Sequence, residues 1–122
     1  MGAIQFSGKT ELLNNIIRKL IDTPELQRLR YIRQNGLTNI VFHSMEHSRF
    51  AHSLGVAHVA RRMYQRVLLN SDLTDKVEPQ LRVSTVIAAL LHDIGHGPFS
   101  HTFEEIIHDI GHTNFSHEKN DN

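Results

Sequence analysis

Four residues in the last third of this chain could do chemistry: His92, Asp93, His96 and His101. Imidazole and carboxylate groups ligate metals and move protons. They follow the run Val86-Ile87-Ala88-Ala89-Leu90-Leu91, which reads as a buried helix because it is apolar all round. A polar pair at the end of a buried helix needs partners, since an unpaired buried charge is costly. A metal ion is one such partner. Nitrogen and oxygen donors together suit iron, manganese, zinc or magnesium to differing degrees, and the sequence does not choose among them. Gly95, Gly97 and Pro98 then break the helix and start another. The backbone there can approach a ligand, and free N–H groups at a helix start can receive a phosphate.

A lone His-Asp pair is most often a surface hydrogen bond. The company changes that reading: His96 stands four positions after His92, His101 follows, and a second His-bearing helix lies upstream. Composition sets the outer bounds. A chain of 122 residues is long enough for one domain with a core. Its formal net charge is zero, so no basic field indicates nucleic acid as a partner. It has no Cys, which excludes disulfides and thiolate metal sites and fits a reducing compartment. Met1–Gly8 has no signal-peptide pattern, and no apolar run is long enough to span a membrane, so a cytoplasmic setting is expected.

The elements that must carry these residues read as helices. Residues 1–9 are expected to be an irregular lead-in. Thr10 can cap a helix through Leu12, Leu13, Ile16, Ile17, Leu20 and Ile21. Thr23 and Pro24 are a cap and first turn for a second helix, with Leu26, Leu29 and Ile32 inward. Arg28, Arg30 and Arg33 then face outward or toward a ligand, and Gly36 ends the helix. Residues 37–42 read as a loop or a short strand-like piece. A long helix from about Ser48 to Leu69 has Phe50, Leu54, Ala57, Ala60, Met63, Tyr64, Val67 and Leu68 as its inner stripe. Gly55 within it either costs about 1 kcal/mol relative to Ala or admits a close neighbour. Pro79 opens the helix that reaches His92. Pro98 opens another through Phe99, Phe103, Ile106 and Ile107, ended by Gly111, and residues 112–122 are expected to fray. The sum is an all-α bundle of roughly five helices.

Three stretches, in order, resemble one family. They are Asp22-Thr23-Pro24-Glu25-Leu26-Gln27-Arg28-Leu29-Arg30-Tyr31-Ile32-Arg33-Gln34, Arg49-Phe50-Ala51-His52-Ser53-Leu54-Gly55, and the run from Leu91 to His101. Together they are similar to the HD-domain metal-dependent phosphohydrolases. The closer likeness is to the deoxynucleoside triphosphate triphosphohydrolase branch, which includes the sterile-alpha-motif-and-HD enzymes. The resemblance implies an all-α HD domain, with residues 1–122 its front, truncated part. It implies a divalent metal held by His52, His92 and Asp93. It implies catalytic roles for His96 and His101 beside the phosphate, for His117 in a downstream His-Glu pair, and for Glu104 as a carboxylate orienting the catalytic His. Arg49 matches a phosphate-gripping arginine, and Gln34 matches a glutamine that reads the sugar 3′-hydroxyl.

The reaction implied is hydrolysis of a deoxynucleoside triphosphate to nucleoside and triphosphate. The family adds a further Asp ligand well downstream, in a stretch this sequence does not contain. The alternative is therefore an HD module that binds nucleotide or a partner chain without turnover, with homo-oligomerisation as one way to cover its apolar faces.

Overall fold

The computed structural model describes residues 7–71, 79–99 and 101–111, with backbone alone at 7–9, 79, 101 and 104. Among the described residues five α-helices follow one another: α1 (Ser7–Ile21), α2 (Pro24–Arg28), α3 (Arg49–Asn70), α4 (Pro79–Leu91) and α5 (His101–Asp109). Two short 3-10 segments, Leu29–Tyr31 and Gly36–Ile40, lie between α2 and α3. Among the described residues there is no β-strand, only an isolated bridge between Arg33 and Ser48. The fold is all-α, as the sequence implies. Among the described residues, no helix is long and apolar enough to cross a membrane.

The core gathers one face from each of the first four helices. Leu13 of α1, Leu26 of α2, Leu29, Ile32, Phe50 and Ala57 of α3, and Val86 and Leu90 of α4 pack together. Burying such aliphatic side chains stabilises the fold by roughly 1.5–3 kcal/mol each. The joint between α1 and α2 is tied by side chains. The Thr23 hydroxyl donates back to the Leu20 carbonyl at 2.6 Å, and the Gln27 amide donates to the Ile21 carbonyl at 2.7 Å. Thr23 therefore sits in the cap position of α2 yet serves the end of α1, whose last carbonyls lack helical partners.

Several boundaries differ from the sequence reading. The first helix begins at Ser7, inside the stretch expected to be irregular. The second is a single α-turn that tightens into 3-10 geometry, which still carries Leu29 inward. Residues 37–42 are not extended: Gly36, at φ +55°, turns the chain into a 3-10 segment. Ile40, Val41 and Phe42 on and after it are exposed, so β-branched residues there report surface rather than a strand. On α3, Met63 and Val67 are exposed, because the buried face drifts from Phe50 and Ala57 toward Tyr64 and Leu68 and misses them. α4 is one-sided, with Val86 and Leu90 buried and Ala88 exposed. Phe99 takes φ +66°, a conformation no helix allows, so α5 starts at His101 and not at Pro98. The tail from 112 onward lies outside the described residues.

Candidate functional site

Two helix ends, the start of α3 and the end of α4, meet at the site. Ser48 accepts a hydrogen bond from the Ala51 amide and caps α3, which places Arg49 and His52 on its first turn. The entry to α3 is pinned by two backbone hydrogen bonds, from the Arg49 amide to the Ile32 carbonyl at 2.8 Å and from the Gln34 amide to the His47 carbonyl at 3.1 Å. α4 ends at Leu91, and the turn that follows carries His92, Asp93 and His96. That turn closes through hydrogen bonds from the Ile94 amide to the Leu91 carbonyl and from the His96 amide to the Asp93 carbonyl.

Asp93 is the hub. Its Oδ2 accepts a hydrogen bond from Arg49 Nη1 at 2.8 Å and lies 3.6 Å from His52 Nε2. Its Oδ1 lies 3.4 Å from both His92 Nε2 and His96 Nε2. Arg49, Asp93 and His96 are buried, while His52 is half-buried and His92 is exposed. The His52 and His92 rings meet edge to face with centroids 5.3 Å apart. Burial lowers the His52 pKa below the ordinary 6.5; nearby Asp93 opposes this, while His92, Arg49 and His47 add to it. A neutral His52 keeps a nitrogen lone pair for ligation.

His52, His92 and Asp93 each offer one donor atom, all within 4.8 Å of one another. Ligands at ~2.1 Å from one ion stand ~3.0–3.5 Å apart, close to the separations around Asp93. His92 supplies a second check. Its Nδ1 lies 2.8 Å from the Ala89 carbonyl, which can only accept. Nδ1 therefore carries the proton, and Nε2, facing Asp93, is left as a donor. Two imidazoles and a carboxylate suit a divalent ion of the borderline kind.

Beside this cluster lies a cavity of about 800 Å³, whose lining includes Gln34, Thr38, Arg49, Asp93, His96 and Phe99. Four residues singled out in the sequence, Gln34, Arg49, Asp93 and His96, thus share one wall system although they come from three segments. His52 and His92 gather around Asp93. His101 and Glu104 lie on α5, whose Thr102 also lines the cavity; their side chains are outside the described atoms, and His117 is outside the described residues. The sequence reading places Arg28 only as facing outward or toward a ligand, and the structure gives it a different task. Its guanidinium donates to the His96 carbonyl at 3.0 Å and to the Ile94 carbonyl at 2.5 Å. The signal was present in its place between inward Leu26 and Leu29, but nothing local named the turn it reaches. Arg30 turns to the Phe50 ring, 3.9 Å from its centroid, and so is occupied away from the cavity.

Residues 49–122 match the HD domain family, and the chain belongs to it. HD domains bind divalent metal ions, and the donor set around Asp93 fits one. The chain is 50% identical over 93 residues to the uncharacterized protein YwfO of Bacillus subtilis, covering 76% of this chain and 21% of YwfO. It is 41% identical over 98 residues to the human deoxynucleoside triphosphate triphosphohydrolase SAMHD1, covering 75% of this chain and 14% of that protein. It is 38% identical over 105 residues to the putative HD domain-containing protein L394 of Acanthamoeba polyphaga mimivirus, covering 77% and 23%. The chain thus spans less than a quarter of the length of each.

Proposed function

We propose that this chain is the metal- and phosphate-binding part of an HD phosphohydrolase that acts on deoxynucleoside triphosphates. The observation that carries the reading is the joining of the His52–His92–Asp93 donor cluster to the 800 Å³ cavity through Asp93 itself. That volume lies within the ordinary range of small-molecule sites, about 300–1,000 Å³. The likeness to deoxynucleoside triphosphate triphosphohydrolases supplies the substrate class.

In this reading His52, His92 and Asp93 hold the divalent ion. When bound, such an ion acidifies a water and polarises the phosphorus under attack. The chain's own groups do the rest. Arg49 presents a guanidinium at the cavity wall, where it can hold phosphate oxygens in place. Gln34, fixed by its backbone tie to His47, offers an amide to the sugar. His96 lines the cavity beside Asp93 and can give a proton to the leaving 5′-oxygen, with His101, Glu104 and His117 assisting from α5 and the tail. Positioning and charge stabilisation supply most of the rate in phosphoryl chemistry of this kind.

A second reading has one observation behind it. Leu37, which lines the cavity, and Ile40, Val41 and Phe42, which follow it in the chain, are all exposed apolar residues. A module that binds nucleotide and a partner chain without turnover would use such a surface. Anion-exchange analysis decides between them. Incubated with mixed deoxynucleoside triphosphates and Mn²⁺, the parent chain is expected to yield nucleoside and intact triphosphate, and the His92→Ala/Asp93→Ala variant none. No triphosphate from the parent, with nucleotide still bound, favours the second reading.

A further inference from the structure

The turn after α4 must hold Asp93 and His96 in register with α3, yet it contains two glycines, Gly95 and Gly97, and belongs to no helix. Its own amides tie the Leu91 and Asp93 carbonyls. The Ile94 and His96 carbonyls are taken instead by one side chain, that of Arg28, from a segment 66 and 68 residues away. Buried or constrained carbonyls need such donors, and a charged donor makes the stronger bond.

Arg28 is well placed to act as a strut. Leu26 and Leu29, on either side of it, are fully buried in the core. They fix the backbone from which the guanidinium projects, although Arg28 itself is exposed. The planar fork then spans two carbonyls two residues apart, which the single ammonium of Lys cannot match with the same geometry. The carbonyls it holds belong to His96 and to the neighbour of Asp93.

We propose that Arg28 is a positioning residue: it fixes the 92–97 turn so that Asp93 and His96 keep their places against Arg49 and His52. That this serves metal binding rests on the reading in the preceding subsection; that it orders the turn does not. Outer groups that orient metal ligands typically change affinity about 10–100-fold when removed.

The test compares the parent, Arg28→Ala and Arg28→Lys by amide hydrogen exchange and by Mn²⁺ titration of the folded proteins. In Arg28→Ala the Ile94 and His96 amides are expected to exchange at least about tenfold faster, with the Val86 and Leu90 amides unchanged, and Mn²⁺ to bind about tenfold more weakly. Arg28→Lys, keeping one of the two contacts, is expected to fall between, and it carries the same comparison if Arg28→Ala does not fold. Turn amides that exchange as in the parent overturn the proposal. Faster exchange with unchanged Mn²⁺ affinity overturns the positioning role and leaves Arg28 a cap. A parent that binds no Mn²⁺ overturns the metal reading instead, and the exchange data still decide whether Arg28 orders the turn.

Discussion

The Arg49 guanidinium and the Asp93 carboxylate meet at 2.8 Å with side chains only 4% and 8% exposed. The first residue of α3 and the turn after α4 are thereby joined by opposite charges inside the protein. The joint has a consequence for stability and for metal binding at once, because the carboxylate that pairs with Arg49 also faces His52 and His92. Breaking a buried pair by removing one partner costs about 3–5 kcal/mol, since the other charge is left uncompensated. Arg49→Ala is therefore expected to destabilise the metal-free chain by about that amount. A cation bound at Asp93 would neutralise the orphaned carboxylate. Saturating Mn²⁺ is expected to raise the melting temperature of Arg49→Ala more than that of the parent. Equal shifts in the two proteins would show that Asp93 does not face the bound ion.

Two glycines make opposite predictions. A Cβ on Gly55, in the exposed middle of α3, would meet nothing within 4 Å. Gly55→Ala is expected to stabilise the chain by about 0.5–1 kcal/mol in a denaturant melt, through helix propensity alone.

A Cβ on Gly97 would lie 2.4 Å from Cδ1 of the Phe103 ring. That glycine lets α5 approach the turn after α4. Gly97→Ala is expected to cost about 1–3 kcal/mol and to move the ring, visible as altered Phe103 NMR shifts. A neutral Gly97→Ala would mean that α5 shifts at no cost.

The lowered His52 pKa sets the direction of the pH response. In the metal-free chain the unfolded state takes up this proton near 6.5, and the folded state only at lower pH. Between those values the unfolded state binds more protons, so stability rises with pH. The His52 contribution is complete above 6.5 and is lost as pH falls through the depressed folded value. Denaturant melts of the parent and of His52→Gln on both sides of 6.5 check this, with the flatter profile expected for His52→Gln.

Most of what positions the site was legible in the sequence because it depends on local chemistry. The long helix α3 begins within one residue of the expected Ser48, and Leu26, Leu29 and Ile32 lie inward as their spacing implies. His52, His92 and Asp93 converge as the ordered motifs imply. What the sequence concealed depends on contacts between distant segments. Arg28 reaches carbonyls that no periodicity reveals. The 3-10 path of Gly36–Ile40 follows from a positive φ at Gly36 and not from the β-branched residues beyond it. Met63 and Val67 fit the apolar stripe of α3 by spacing, but which neighbours cover a stripe is a property of the packed fold.

In the proposed function, His52, His92 and Asp93 hold one divalent ion. Mn²⁺ binding followed by electron paramagnetic resonance tests it directly. The parent is expected to bind one ion per chain, and His52→Ala, His92→Ala and Asp93→Ala, each shown to be folded, are expected to lose that binding together. One ion retained by folded His92→Ala and Asp93→Ala alike would place the bound metal elsewhere on the chain.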